Sequence, residues 1–279
     1  MIKISNVSFS YKKGSNVFED FSLNFEAGRV TGLLGKNGTG KSTLLYLITG
    51  LIFPQKGEIM FCGTDVRKRE PSTLQETFII PEEFELPDIT FKRFVEATAP
   101  FYPNFSYEQL RNILEVFEMP IDVKFNELSM GQRKKAYTSF ALATNTRLLV
   151  MDEPSNGLDI PSKSQFRKAI ALGMNDDKSI IISTHQVRDI DSLLDHVVII
   201  DNKKVLLDAS TTEIGKRLFF DEDAQETSYP DIIFSQPSIT GNSILRANTN
   251  NEESRLNLEL LFNATLARQK EIAEIFKSK

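Results

Sequence analysis

Gly35-Lys-Asn-Gly-Thr-Gly40-Lys41-Ser42 is the stretch that leaves this chain the least freedom. It matches G-x-x-x-x-G-K-[ST], a loop whose backbone amides cradle nucleotide phosphates. Arg29–Leu34 before it (RVTGLL) reads as a short buried strand, and Lys41–Thr49 after it (KSTLLYLIT) as a helix. A strand that feeds a glycine-rich turn and then a helix N-terminus aims several N–H groups at one anion. Gly35, Gly38 and Gly40 permit positive φ and close backbone approach. Lys41 is expected to reach the β/γ-phosphates, and the Ser42 hydroxyl to coordinate Mg²⁺.

At 279 residues the chain holds one large domain, or a main domain with a small one. The net charge of −5 disfavours a nucleic-acid groove, so no nucleic-acid partner is expected. Cys62 is the one cysteine; no disulfide framework can form within the chain, which fits a reducing cytosol. The opening MIKISNVSFSY lacks a signal-peptide core, and the most apolar stretch, Leu44–Phe53, is too short to span a bilayer. If the protein works at a membrane, another chain is expected to supply the membrane part. Two histidines leave little scope for a histidine-based metal site.

Residues 1–28 alternate apolar and polar: Ile2/Ile4, Val7/Phe9/Tyr11, then Phe21/Leu23/Phe25. This is the period of half-buried strands. Gly57–Phe61 and Thr77–Ile80 continue as strands. From about residue 88 to 145 the pattern turns helical, with Ser106-Tyr-Glu-Gln109 as a capping box opening a helix through Phe117. Arg147–Met151 and Ser179–Ser183 read as buried parallel strands, with a helix near Pro161–Leu172 between them. Another helix is expected before the strand His196–Asp201; Asp201-Asn202-Lys203-Lys204 reads as a turn, with Val205–Leu207 as the returning strand. Alternating strands and helices argue for an α/β fold with a helical subdomain inserted at about 88–145. Residues 210–279 read as a small α+β appendage. In it Ser210 caps a short helix, Asp221–Glu226 and Ala247–Ser254 are loops, Asp231–Phe234 and Ser243–Leu245 are short strands, and Leu258–Leu266 has helical spacing.

Leu148-Leu-Val-Met-Asp152-Glu153 is an apolar strand ending in two carboxylates, placed at the sheet edge where α/β proteins bind ligands. Asp152 suits a Mg²⁺ ligand, and Glu153 a base that positions water. Ser129-Met-Gly-Gln132 reads as a capping box; a helix start with a small Ser/Gly pair is equally an anion site. His185 follows a strand end and is placed for a γ-phosphate contact. Pro154–Asp159 reads as a tight turn.

In this order the stretches resemble the ATP-binding cassette family, specifically the nucleotide-binding subunit of an ABC transporter, over about residues 1–209. The resemblance implies a P-loop NTPase fold of ABC type with a mixed β-sheet core. It also implies ATP hydrolysis with Mg²⁺, and a head-to-tail homodimer, or a pair with a closely related cassette, around two ATP molecules. Gly35–Thr43, Asn37 included, would hold the triphosphate, and Tyr11 would stack on adenine unless it is an ordinary strand aromatic. Ser129, Gly131 and Gln132 would complete the partner's site, and Asp159 would communicate across the dimer. Asp152 would support Mg²⁺, Glu153 would activate water, and His185 would touch the γ-phosphate. The cassette would sit at the cytoplasmic face of the membrane, bound to membrane-spanning permease subunits, and its shortness resembles export systems.

Two positions depart from the family's pattern. Met130 replaces a glycine of the usual LSGGQ, and Glu82 stands where glutamine is usual. Glu82 could coordinate Mg²⁺ or be a solvated loop residue. The competing expectations are a cassette serving a non-transport machine, or a nucleotide sensor that does not hydrolyse.

Overall fold

The computed structural model describes residues 1–12, 14–224, 231–238, 241–250 and 252–277. The chain begins with β1 (Ile2–Ser10), β2 (Asn16–Phe25), β3 (Val30–Leu34), α1 (Lys41–Ile48), β4 (Lys56–Phe61), β5 (Thr64–Asp65), α2 (Pro71–Leu74) and β6 (Thr77–Ile80). Three helices follow, α3 (Phe91–Thr98), α4 (Tyr107–Val116) and α5 (Met130–Ala143), before β7 (Leu148–Asp152), α6 (Ile160–Gly173) and β8 (Ser179–Thr184). The chain continues through β9 (His196–Asp201), β10 (Lys204–Ser210), α7 (Thr211–Arg217), β11 (Leu218–Ala224), β12 (Ile232–Pro237) and β13 (Asn242–Ala247) to α8 (Leu258–Ala267) and α9 (Gln269–Lys277). Among the described residues no helix is long and apolar enough to cross a membrane.

Contacts group the chain into two compact units, Met1–Val30 with Gly40–Thr184, and Thr31–Thr39 with His185–Lys279. The first contains an antiparallel sheet in the order β2-β1-β4-β5. Its apolar residues switch parity between Ile4 and Val7, all buried, because the β1–β2 register shifts there. Asn6 takes up the extra residue at φ 50°, and Asp20 does the same on β2 at φ 52°. The two bulges meet: Asn6 Nδ2 donates to Asp20 Oδ1 at 2.7 Å. A bulge sharpens twist and bends the strand, and here it keeps both halves of β1 facing inward. Gly57 makes room for it on the next strand, at φ +79°, where a Cβ would stand 2.4 Å from the carbonyl oxygens of Ser5 and Asn6. The short β4–β5 connection turns at Cys62 and Gly63, with φ 49° and 85°.

The same unit holds three parallel strands, β6, β7 and β8, with Leu148↔Ser179 and Thr77↔Leu148 in register. Both β7 and β8 are buried at every position, as expected of parallel strands covered on both faces. Helix α4 packs on α5 and α6, and α5 on β6. Rings of Phe78, Phe94, Phe105 and Phe140 form one aromatic cluster there. Ser106 caps α4, accepting from the Gln109 amide at 3.1 Å, but the reciprocal half of the expected capping box is not made. The Gln109 side chain donates instead to Gly173 O at 3.4 Å.

The second unit has β9 between antiparallel β10 and parallel β3, so its sheet is mixed. Asn202 and Lys203, at φ 46° and 65°, form the two-residue hairpin turn. The helix expected before β9 is two single 3₁₀ turns, Val187–Asp189 and Asp191–Leu193. Asp191 accepts from the Ser192 amide at 2.6 Å, a local bond that competes with helix propagation. The acidic stretch from Asp221 is not a loop as far as it is described: Leu218–Ala224 is an edge strand of the sheet β11-β13-β12, and residues 225 and 226 lie outside the described residues. Edge strands tolerate charge because one side meets no partner strand. Leu258, Leu260 and Leu261 of α8 are buried. Helix α9, with Ile272 buried, was not expected from the pattern.

Two outcomes follow. Gly57→Ala should destabilise the protein by about 2–4 kcal/mol, because strain and a backbone clash combine. Gly63→Ala, at φ +85° with nothing within 4 Å, should show strain alone, roughly 1 kcal/mol. Urea unfolding of the two variants measures the difference. Lys178 is buried and donates to Leu142 O at 2.7 Å and to Asn145 Oδ1 at 3.3 Å. Burial pushes its ammonium from 10.5 down to about 8. The unfolded chain therefore holds the extra proton between those values, and stability is gained as pH rises through that window. The stability of wild type relative to Lys178→Met should rise between about pH 8 and about pH 10.5 in urea titrations.

Candidate functional site

The glycine loop follows β3. Gly35 admits no side chain, since a Cβ would lie 2.6 Å from Thr39 Oγ1 and 2.8 Å from Ile200 O. Asn37 and Gly38 are exposed, and Gly38 takes φ +80° with open space beside it. Thr39 Oγ1 donates to Lys36 O at 2.9 Å and closes the turn. Gly40 is the N-cap of α1 at φ 99°, where a Cβ would strike Val17 and Phe18. It brings no capping side chain, and the first turn of α1 has no acidic residue. The start of α1 therefore favours an external anion.

Within the first unit, Lys41 and the strand-end carboxylates converge. Lys41 Nζ lies 3.8 Å from Glu153 Oε1, and both side chains are about nine-tenths or more buried. Burial lowers the Lys41 pKa, while Glu153, then Asp152 and Glu82, oppose that shift. The Ser183 hydroxyl donates to Asp152 Oδ1 in a short bond. Thr184 Oγ1 donates to Glu153 Oε2 at 3.1 Å. Glu153 itself has φ 45°, a left-handed backbone held by its N–H bonds to Ser183 O at 3.1 Å and Ser183 Oγ at 3.2 Å. Glu82 is exposed and accepts from Asn156 Nδ2 at 3.1 Å, so it touches the turn after the carboxylates. Tyr11 is 61% exposed, and its hydroxyl lies 3.2 Å from Thr43 Oγ1.

The remaining residues make local bonds. Ser129 and Gln132 form a complete capping box on α5, at 3.3 Å and 3.0 Å. Met130 is 71% exposed, and its sulfur stands 3.9 Å from where a Gly157 Cβ would be. A Cβ on Gly131 would meet Leu158 at 3.6 Å, so the glycine lies against the same turn. Asp159 caps α6, accepting from the Ser162 amide at 2.9 Å; the Ser162 hydroxyl and then this amide bond lower its pKa. His185 is exposed, with Nε2 3.5 Å from Gln186 Nε2.

Four residues escaped the sequence reading. Ser183 and Thr184 are polar ends of an apolar run, and their contacts with Asp152 and Glu153 depend on strand register. Asn156 sits inside a turn, and Lys134 on a helix. Lys134 is 7% exposed and donates to Asn156 O at 2.7 Å.

Among the described residues no group of three or more His, Cys, Asp or Glu side chains forms a metal cage. One serine and one or two carboxylates suit Mg²⁺, which keeps waters and takes substrate phosphates as further ligands. The donor set therefore fits a phosphate-borne Mg²⁺.

A profile described as "ABC transporter" matches residues 18–156. The chain is 30% identical to the ABC transporter ATP-binding protein YtrB of Bacillus subtilis, over 69% of this chain and 66% of that protein. It is 30% identical to the methionine import ATP-binding protein MetN of Carboxydothermus hydrogenoformans, over 77% of this chain and 67% of that protein. With the Nod factor export ATP-binding protein I of Cupriavidus metallidurans it shares 28% identity, over 71% and 67%. Two solved structures share the fold. An ATP-binding subunit of an ABC transporter superposes with TM-score 0.68 at 24% identity, covering 77% of this chain and 91% of that one. A dimeric post-hydrolysis cassette bound to ADP and Pi superposes with TM-score 0.65 at 24% identity, covering 75% and 98%. A phosphate loop, a buried lysine beside two strand-end carboxylates and this kinship lead to one conclusion: the chain belongs to the ABC transporter family, as one of its ATP-hydrolysing cassettes.

Proposed function

We propose that the cassette works as a pair, at the cytoplasmic face of a membrane, and powers solute export through membrane-spanning subunits on other chains. The observation that carries the hydrolytic part is the Lys41–Glu153 contact, flanked by Asp152. Lys41 here neutralises the carboxylate. When a triphosphate enters, its greater negative charge draws Lys41 to the β/γ-phosphates, and Glu153 is released to accept a proton. Thr184 keeps the carboxylate oriented meanwhile. The oxygen of a water then bonds to the γ-phosphorus, one of its two protons goes to Glu153, and the bond to the β-phosphate oxygen breaks to release ADP.

Gly35–Thr43, including Asn37, Gly38 and Gly40, hold the phosphates by backbone amides. Ser42 and Asp152 would hold Mg²⁺, which would spread the developing charge over the phosphate oxygens. Glu82 would join them by exchanging its Asn156 bond. Tyr11 stacks on adenine, and His185 contacts the γ-phosphate. Ser129, Gly131 and Gln132 serve the site of the second cassette, and Asp159 links the two sites. The helical block at about 88–145, with the Glu82 loop, meets the membrane subunits. Residues 1–209 form the cassette proper, and 210–279 an appendage. Export is supported by the Nod factor relative and by the SkfA peptide export protein SkfE of Bacillus subtilis, whereas MetN is named for import.

Glu153→Gln should bind ATP while turnover falls by roughly 10²–10⁴-fold, the usual contribution of a positioned base. Phosphate release measures it; near-normal turnover would falsify the assignment. The same variant with ATP and Mg²⁺ should retain a multi-span membrane protein from detergent-solubilised native membranes. Recovery of soluble partners alone overturns the transport reading.

A further inference from the structure

Lys134 is a buried cation that the hydrolytic scheme does not use. It lies on α5, the helix that Ser129 caps. Its Nζ is 2.7 Å from Asn156 O and 3.4 Å from Glu153 O. Those carbonyls bracket the turn after the carboxylates, which Asn156 N–H closes onto Glu153 O at 3.1 Å. Asn156 also donates to Glu82 through its side chain, at 3.1 Å. One residue of the turn thus meets Lys134 with its carbonyl and Glu82 with its amide group.

Neutral donors could satisfy two carbonyls. The surroundings ask for a charge. Lys134 lines an open cavity of about 800 Å³ with Glu82, Glu83 and Glu85, and with one further cation, Arg133. Burial lowers the Lys134 pKa, and Glu82, ahead of Glu153 and Asp152, acts against that shift. A buried ammonium is costly unless donors are matched and charge is balanced. Here two carbonyl acceptors and three nearby carboxylates offset part of that cost. The turn needs such a clamp, because Glu153 is held at φ 45°, a region that costs a non-glycine residue about 1–3 kcal/mol.

We propose that Lys134 is a positioning residue for hydrolysis: it clamps the Glu153–Asn156 turn from α5 and balances the carboxylate of Glu82. This rests on Glu153 being the base. The arrangement ties three segments to one cation. Motion of α5 is felt at the backbone of the base, and the negative charge at position 82 is tolerated beside a phosphate site.

The test compares wild type, Lys134→Met, Lys134→Arg, Glu82→Gln and the double variant Lys134→Met/Glu82→Gln as full chains. Lys134→Met should lower kcat by roughly 10–100-fold, the effect of a small misplacement of a catalytic group, with KM for ATP little changed. Lys134→Arg should recover most of the loss. Adding Glu82→Gln to Lys134→Met should raise kcat by about tenfold, a coupling expected of neighbouring charges. Amide hydrogen exchange at residues 153–157 should quicken in Lys134→Met, whether or not the chain turns over. Unchanged exchange and unchanged kcat overturn the proposal. So does a loss that arginine does not rescue and that falls on kcat, KM and unfolding midpoint together. Absence of turnover in wild type would refute the hydrolytic reading instead, while the exchange measurement still decides whether Lys134 clamps the turn.

Discussion

The chain reversal at Glu153 is the constraint on which the site depends. Strand β7 is buried at all five positions. The φ of 45° at Glu153 ends the strand one residue after Asp152. Ser183 fixes this break from the adjacent strand, bonding the Asp152 side chain and the Glu153 amide. The in-register pairing of Asp152 with Ser183 is what makes this possible. The geometry of the candidate site is thus inherited from the register of β7 on β8.

Several polar residues near the site serve the fold as well. Ser129 and Asp159 are N-caps, each accepting an amide hydrogen that the helix cannot satisfy itself. Their exposure leaves them available to a second molecule. Gly40 does the reverse: it starts a helix and offers no side chain, which leaves the first turn to an anion.

Much of this could be read from the sequence. Lys41, Asp152 and Glu153 announce themselves, because a strand–loop–helix with fixed glycines and an apolar strand with terminal carboxylates are local patterns. The strands failed where locality failed. Asp221–Glu226 looks like a loop by its acids, yet register with β13 puts its described part in the edge strand Leu218–Ala224. The residues before His196 look helical by spacing, but a local aspartate bond interrupts them. Ser183, Thr184, Asn156 and Lys134 were unreadable for another reason. Their partners lie 19 to 74 residues away in sequence, so their chemistry exists only after folding.

Cys62 lies in the β4–β5 turn, exposed, and is the chain's single thiol. The turn is short, and the strand before it is anchored on β1 from Ile2↔Phe61 onward. A maleimide-linked spin label placed there would report one site per chain without any mutagenesis. In a paired assembly the two labels would give one intermolecular distance, a ruler for opening and closing supplied by the native sequence.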